Sequence, residues 1–333
     1  MNAAAIDSSN TACARNMPAD IAVGTLENTT MAKFKFGNGD NLLVPVTTDN
    51  DTYIIGNGNN DVVNADHTSG DMITVGNGAG DVVNAIGSNN DTIILGGGAG
   101  DTVSIGAFGL GGSQNDTITL GNGVGDVVNA RDSGHVTITL GNGAGDVVNA
   151  TGLNLPFDIL NIITLGDGTA DVVDVGGFRA EVQVIVGNGA GDVVNADHSN
   201  GLFGEASFIT LGIGNADVVN ANDTFAITIT LGAGAGDVVN ATGGSTFDII
   251  TLGDGAGDVV DATGSQDWVT LGNGNNDMVF AGDHQKGPIT LVSVVRDFET
   301  GGGLNQERVW RIMVDVTRLV CGEATDGFGW SCA

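Results

Sequence analysis

The stretch that decides the fold is Ile138-Thr139-Leu140-Gly141-Asn142-Gly143-Ala144-Gly145-Asp146-Val147-Val148-Asn149-Ala150. It has three parts: a short strand alternating aliphatic and hydroxyl side chains, a glycine-rich turn closed by an aspartate, and a second short strand. The turn-final aspartate recurs at Asp61, Asp81, Asp101, Asp126, Asp146, Asp171, Asp192, Asp217, Asp237, Asp258 and Asp277, at intervals of 20, 20, 25, 20, 25, 21, 25, 20, 21 and 19 residues. Such a period marks a solenoid, in which each repeat buries its apolar side chains against its neighbours. The expected fold is all-β: a parallel β-solenoid flattened into a two-sheet β-roll, with about eleven coils of roughly 20 residues over residues 51–281. An N-terminal leader and cap (1–50) and a C-terminal cap or export segment (282–333) are expected to flank it.

Alternation assigns the inside of the strands. Before the turn, Ile73, Ile93, Ile118, Ile138, Ile163, Val184, Ile209, Ile229, Ile250 and Val269 form one inward rung, and the residue two further on, Leu140 in the quoted repeat, forms another. After the turn, the second valine (Val63, Val83, Val128, Val148) and the alanine (Ala65, Ala85, Ala130, Ala150) face inward, which turns the first valine and the asparagine out. The opposite phase, with the asparagines stacked inside as a buried amide ladder, is the alternative. Extra residues fall after the alanine, as in 151–158 and 197–207, so one edge of the coil is strictly kept and the other drifts.

Composition narrows the partners. Forty acidic residues oppose ten basic ones, for a net charge of -30, so nucleic acid and anionic membrane surfaces are disfavoured and cations are the natural partner. No apolar run is long enough for a membrane helix, and residues 1–20 lack the apolar core of a cleaved secretory signal. Cys13, Cys321 and Cys332 all lie outside the repeats, so disulfides do not hold the array; a Cys321–Cys332 pair is open.

The turn carries the chemistry. Gly-Asn-Gly-Ala-Gly-Asp stands at 76–81, 141–146 and 187–192, with variants at 56–61, 121–126, 253–258 and 272–277. Glycines permit left-handed backbone and leave carbonyls pointing into a concavity beside a carboxylate. Carbonyl and carboxylate oxygens suit Ca²⁺, and two stacked turns together could enclose an ion. Aspartates in a column at ~4.8 Å spacing repel by about 1 kcal/mol per neighbouring pair even at water's dielectric constant, a penalty that bound cations would convert to binding energy. The candidate metal ligands are therefore the eleven aspartates, with the turn glycines Gly76, Gly78, Gly141, Gly143, Gly187 and Gly189. The alternative is that each aspartate caps its turn by accepting backbone N–H bonds.

On these residues the repeat resembles the hemolysin-type calcium-binding (RTX) nonapeptide, Gly-Gly-x-Gly-x-Asp-x-U-x with U a large aliphatic, which Gly141, Asp146 and Val148 match. The resemblance implies a parallel β-roll, calcium between successive turns of one edge, and export by a type I pathway without an N-terminal signal. The match is divergent: the second glycine is Asn, Asp, Ile or Ala in most turns, the fourth is replaced, and the period is nearer 20 than 18. The opposite edge has only partial turns, such as 87–91 and 112–116, so one row of ions is expected rather than two.

Other functions find less support. Catalysis needs a base set beside acids, whereas His67, His135 and His198 are scattered over loops, so no catalytic residues are assigned. Outward threonines such as Thr119, Thr139 and Thr230 suggest an ice-binding face, but Met72, Ile162, Phe208 and Trp268 interrupt the neighbouring column. A non-catalytic module of a polysaccharide-active protein is a further alternative. The outward valines (Val62, Val82, Val127, Val147) would form an apolar stripe suited to lateral self-association. The expectation is a secreted calcium-binding solenoid, extracellular or at the cell surface, with a structural, surface or matrix role. Calcium is the expected partner, with lateral self-association or a cell-surface polysaccharide as the further partners to consider.

Overall fold

The computed structural model describes residues 31–106, 113–152, 160–177, 181–198, 207–243, 246–263, 266–281 and 289–291. The three cysteines, Arg179 and most of the two terminal segments lie outside these residues. The chain divides into two compact units, 1–150 and 151–333, and each is a parallel β-solenoid with two sheets.

In the first unit, Lys33–Lys35, Thr52–Ile54, Met72–Thr74, Thr92–Ile94, Thr117–Thr119 and Thr137–Thr139 pair in that order as one sheet, here the Thr sheet. Leu43–Pro45, Val62–Asn64, Val82–Asn84, Thr102–Ser104, Val127–Asn129 and Val147–Asn149 form the other, the Asn sheet. The second unit repeats the plan. Its Thr sheet comprises Leu160–Thr164, Glu181–Val186, Phe208–Leu211, Thr228–Thr230, Thr246–Thr251, Gln266–Leu271 and Ile289–Leu291. Its Asn sheet comprises Val172–Asp174, Val193–Asn195, Val218–Asn220, Val238–Asn240, Val259–Ala262 and Met278–Ala281.

Equivalent residues pair in register, Ile118 with Ile138 and Val128 with Val148, so every inward rung stacks on its own kind. The isoleucine, leucine, second-valine and alanine rungs are buried, and the first valine and the asparagine face outward at intermediate exposure. The opposite strand phase is thereby set aside. The outward valines are half-buried rather than fully exposed, because neighbours only ~4.8 Å away shield their flanks. Beside them the asparagines form an outward amide ladder, with Asn84 Nδ2 donating to Asn64 Oδ1 at 2.9 Å and Asn240 Nδ2 to Asn220 Oδ1 at 2.8 Å.

A coil already stands ahead of residue 51, built from the Lys33–Lys35 and Leu43–Pro45 strands. Exposed Lys33, Lys35 and Pro45 make these strands poor templates for further pairing. Within this end of the core, Phe34 and Tyr53 stack with ring centroids 4.9 Å apart. No helix among the described residues is long and apolar enough to cross a membrane.

Candidate cation site at the glycine turn

Counting Gly76 as the first position of the turn and Asp81 as the sixth, three positions explain its composition. At the third, a Cβ on Gly78 would land on the carbonyl oxygen of Gly58 in the preceding coil, and Gly143 stands in the same relation to Gly123. Backbone meets backbone there, and only glycine fits. The fifth position needs positive φ: Gly80 and Gly145 sit at 74° and 71°, Asn60 at 57°, and Ala170 and Ala216 at 59° and 60°. Asparagine tolerates that region well and alanine at some cost, which accounts for the variant turns. At the second position the asparagine side chain accepts from the next coil: Asn77 N–H donates to Asn57 Oδ1 at 3.0 Å and Asn142 N–H to Asn122 Oδ1 at 2.9 Å. Asp167 and Asp254 serve the same way, accepting from Asn188 N–H at 2.8 Å and Asn273 N–H at 2.7 Å. The departure from the nonapeptide at this position therefore has a structural reason.

The sixth-position aspartates point inward, with relative exposures of 0 to 3%. In the first unit Asp61, Asp81, Asp101 and Asp126 each donate their backbone N–H to the Oδ1 of the next aspartate, at 2.8 to 3.0 Å. In the second unit the chain runs from Asp171 through Asp192, Asp217, Asp237 and Asp258 to Asp277, at 2.9 to 3.1 Å. The capping reading is thus visible for one oxygen, though the N–H that is capped belongs to the preceding coil and not to the aspartate's own turn.

The other oxygen stands differently. Among the described residues, Oδ2 of Asp61, Asp81, Asp101, Asp126, Asp192, Asp217 and Asp237 is buried without a hydrogen-bond partner. The Cβ position of Gly78 lies 3.0 Å from Asp81 Oδ2, and that of Gly234 lies 3.0 Å from Asp237 Oδ2. Each carboxylate oxygen therefore faces the same small space as the third-glycine carbonyl of the coil before it. Burial, reinforced by the neighbouring carboxylates, pushes Asp81, Asp126, Asp217 and Asp237 up to about 6. Burial also raises Asp61, Asp101, Asp146, Asp192 and Asp258, against the lowering effect of the backbone N–H bonds. The donor set is all hard oxygen, as calcium prefers. No group of three or more His, Cys, Asp or Glu side chains suited to a metal occurs among the described residues, so backbone carbonyls would have to supply much of the coordination.

The partial turns of the opposite edge hold a second aspartate column that sequence reasoning did not single out. Asp51, Asp71 and Asp91 donate their N–H groups to Oδ1 of Asp71, Asp91 and Asp116 at 2.8, 2.9 and 2.9 Å. In the second unit Asp248 N–H reaches Asp267 Oδ1 at 3.2 Å. The signal was a Ser or Thr three residues ahead of the aspartate: Thr68 and Ser88 donate their hydroxyls to the Ala65 and Ala85 carbonyls and close the turn. Burial pushes Asp91 up to about 6, and Asp116 and Asp248 up to about 7. This column is not kept. Val136, Ser207 and Ile227 stand buried where other coils have the aspartate.

His67, His135 and His198 occupy left-handed loop positions on this second edge, and His198 lies 3.6 Å from an exposed Asp223. Comparison with known protein families, curated proteins and solved structures returns no match for the chain.

Proposed function

We propose that the chain is a secreted calcium-binding β-solenoid with a structural, cell-surface or matrix role and no catalytic activity. The observation that carries this reading is the row of buried Oδ2 atoms, each beside a glycine carbonyl and lacking a hydrogen-bond partner among the described residues. A buried carboxylate without compensation is costly, and a column of them more so. Within the first unit, the oxygens that would hold an ion are Asp81 Oδ2 with the Gly58 carbonyl, then Asp101 Oδ2 with the Gly78 carbonyl. In the second unit Asp217 and Asp237 pair in the same way with Gly189 and Gly214. Calcium bound there would neutralise the column and tie successive turns together. The aspartates hold their place through the Oδ1 bonds, so the Oδ2 row is preorganised by the fold.

Ice binding is the weaker reading, since Ile94 and Ile185 break the better-kept threonine column and Met72, Phe208 and Trp268 break the other. The test is a calorimetric titration of the chelator-treated chain with calcium at neutral pH. Several ions per chain, with loss of binding in a variant carrying Asp81→Asn, Asp101→Asn, Asp217→Asn and Asp237→Asn, is the expected result. An absence of binding would leave the aspartates as capping groups.

A further inference from the structure

The outward columns of the Thr sheet differ between the units. In the first unit, the column facing solvent at the start of each strand holds Thr52, Met72, Thr92, Thr117 and Thr137. In the second unit Phe208, Thr228, Ile249 and Trp268 succeed one another there, one coil apart. Trp268 is 52% exposed, Phe208 42% and Ile249 39%. Threonine at this column builds the same strand in the first unit, so the fold does not require large apolar groups here. Among the described residues, Met72 is the one large apolar residue of this column in the first unit, whereas three fall within four successive coils of the second. It is that clustering on one line that points to a ligand.

We propose that this strip, with Phe208, Ile249 and Trp268 beside Thr210, Thr230 and Thr270, docks an uncharged polysaccharide chain. Sheet register puts Phe208 and Trp268 three coils apart, ~14 Å, along a straight line. That suits an extended ligand better than a compact one. A sugar ring presents an apolar C–H face and a hydroxyl rim, the two chemistries that the aromatic column and the adjacent threonine column offer side by side. Charge selects further. From Gln183 to Thr270, neither outward column of the described strand residues carries an ionisable side chain, on a chain of net charge -30. An anionic polymer would meet the field of the surrounding acids, and a cationic one finds no carboxylate on the strip. A second copy of the chain is disfavoured as the occupant because each copy carries a net charge of -30, which opposes close approach even through an uncharged strip.

The inference gives the proposed surface or matrix role a ligand class, and its test does not depend on calcium binding. Native affinity electrophoresis of the full chain, with calcium in the buffer, is run through gels containing hydroxyethylcellulose, mixed-linkage β-glucan, galactomannan or soluble starch. The wild type is retarded in at least one gel. Trp268→Ala and Phe208→Ala each weaken that binding at least about tenfold, the double variant abolishes it, and Met72→Ala leaves it unchanged. Each variant is expected to melt within a few degrees of the wild type, because the three side chains are about half exposed and lie outside the core. Unretarded migration of the wild type in all four gels overturns the proposal. So does retardation that survives the double variant. Light scattering that shows a wild-type dimer made monomeric by Trp268→Ala would assign the strip to self-association and overturn it as well. A failure of the calcium reading would show instead in the calcium titration, with retardation intact.

Discussion

At the glycine-turn edge of the first unit, Asp61, Asp81, Asp101, Asp126 and Asp146 follow one another without a gap. At the opposite edge the matching column runs Asp51, Asp71, Asp91 and Asp116 and then meets Val136. Both columns use the same device, an aspartate Oδ1 that accepts the backbone N–H of the coil before. They differ in what surrounds it. The glycine edge brings third-position backbones into contact and admits no side chain there, so neither length nor composition can drift. The other edge closes its turn through a Ser or Thr hydroxyl and tolerates both insertions and loss of the aspartate. A capping role explains an aspartate at either edge. Neither capping nor burial separates the two rows, since Oδ2 of Asp71 and Asp116 is buried without a hydrogen-bond partner as that of Asp81 is. The backbone contact at the third glycine fixes the unbroken edge, and calcium is the proposed further reason for keeping its carboxylates.

The largest expected effect breaks the glycine edge itself. Gly143→Ala puts a Cβ onto the Gly123 carbonyl and should cost at least about 3 kcal/mol, read as a large fall in melting temperature. Gly145→Ala, two residues on, meets open space and pays only for its positive φ, about 1 kcal/mol. Equal losses would mean that close backbone approach is not what keeps the third glycine.

The aspartate columns give the next contrast. Asp126→Val removes the acceptor of the buried Asp101 N–H and should cost about 1–3 kcal/mol in calcium, by thermal or denaturant unfolding. Asp116→Val should cost less, since Val136 and Ile227 already occupy that column. A larger loss for Asp116→Val would reverse the ranking of the two edges.

Dependence on pH comes third. In cation-free protein the folded carboxyls sit above their ordinary range, at about 6 for Asp81 and about 7 for Asp116, so folding takes up protons. That contribution is fully present below the unfolded value near 4 and fades as pH rises through about 6 to 7. The melting temperature without calcium should therefore rise on acidification from neutral pH towards 4. On the proposed calcium reading, saturating calcium should flatten the dependence, since an ion at the glycine edge would replace the proton there. The smallest effect belongs to the exposed turn ladder: Asn122→Ala should cost about 0.5–1 kcal/mol and Asn122→Asp less, given that Asp167 and Asp254 already serve there.

The period, the strand phase and the rungs were legible because a solenoid writes each coil in the same local code, and Ile138, Leu140, Val148 and Ala150 are buried as alternation requires. The turn aspartates were legible as a column for the same reason. Their partner was not. The bond from Asp81 N–H to Asp101 Oδ1 joins residues 20 apart, and nothing in a single turn distinguishes it from self-capping. The second column was obscured because its hydroxyl turn varies in sequence and its aspartate is dispensable. The aromatic strip was read only as an interruption of threonines, since its meaning depends on which interruptions share one outward column.

The central claim, that the unbroken row is kept for calcium, is tested most directly by melting the full chain at neutral pH with saturating calcium and again with chelator. The account predicts a melting temperature raised by calcium, by an amount that grows with its concentration, with most of the rise lost when Asp81, Asp101, Asp217 and Asp237 are changed to Asn. Identical melting curves with calcium and with chelator would contradict it.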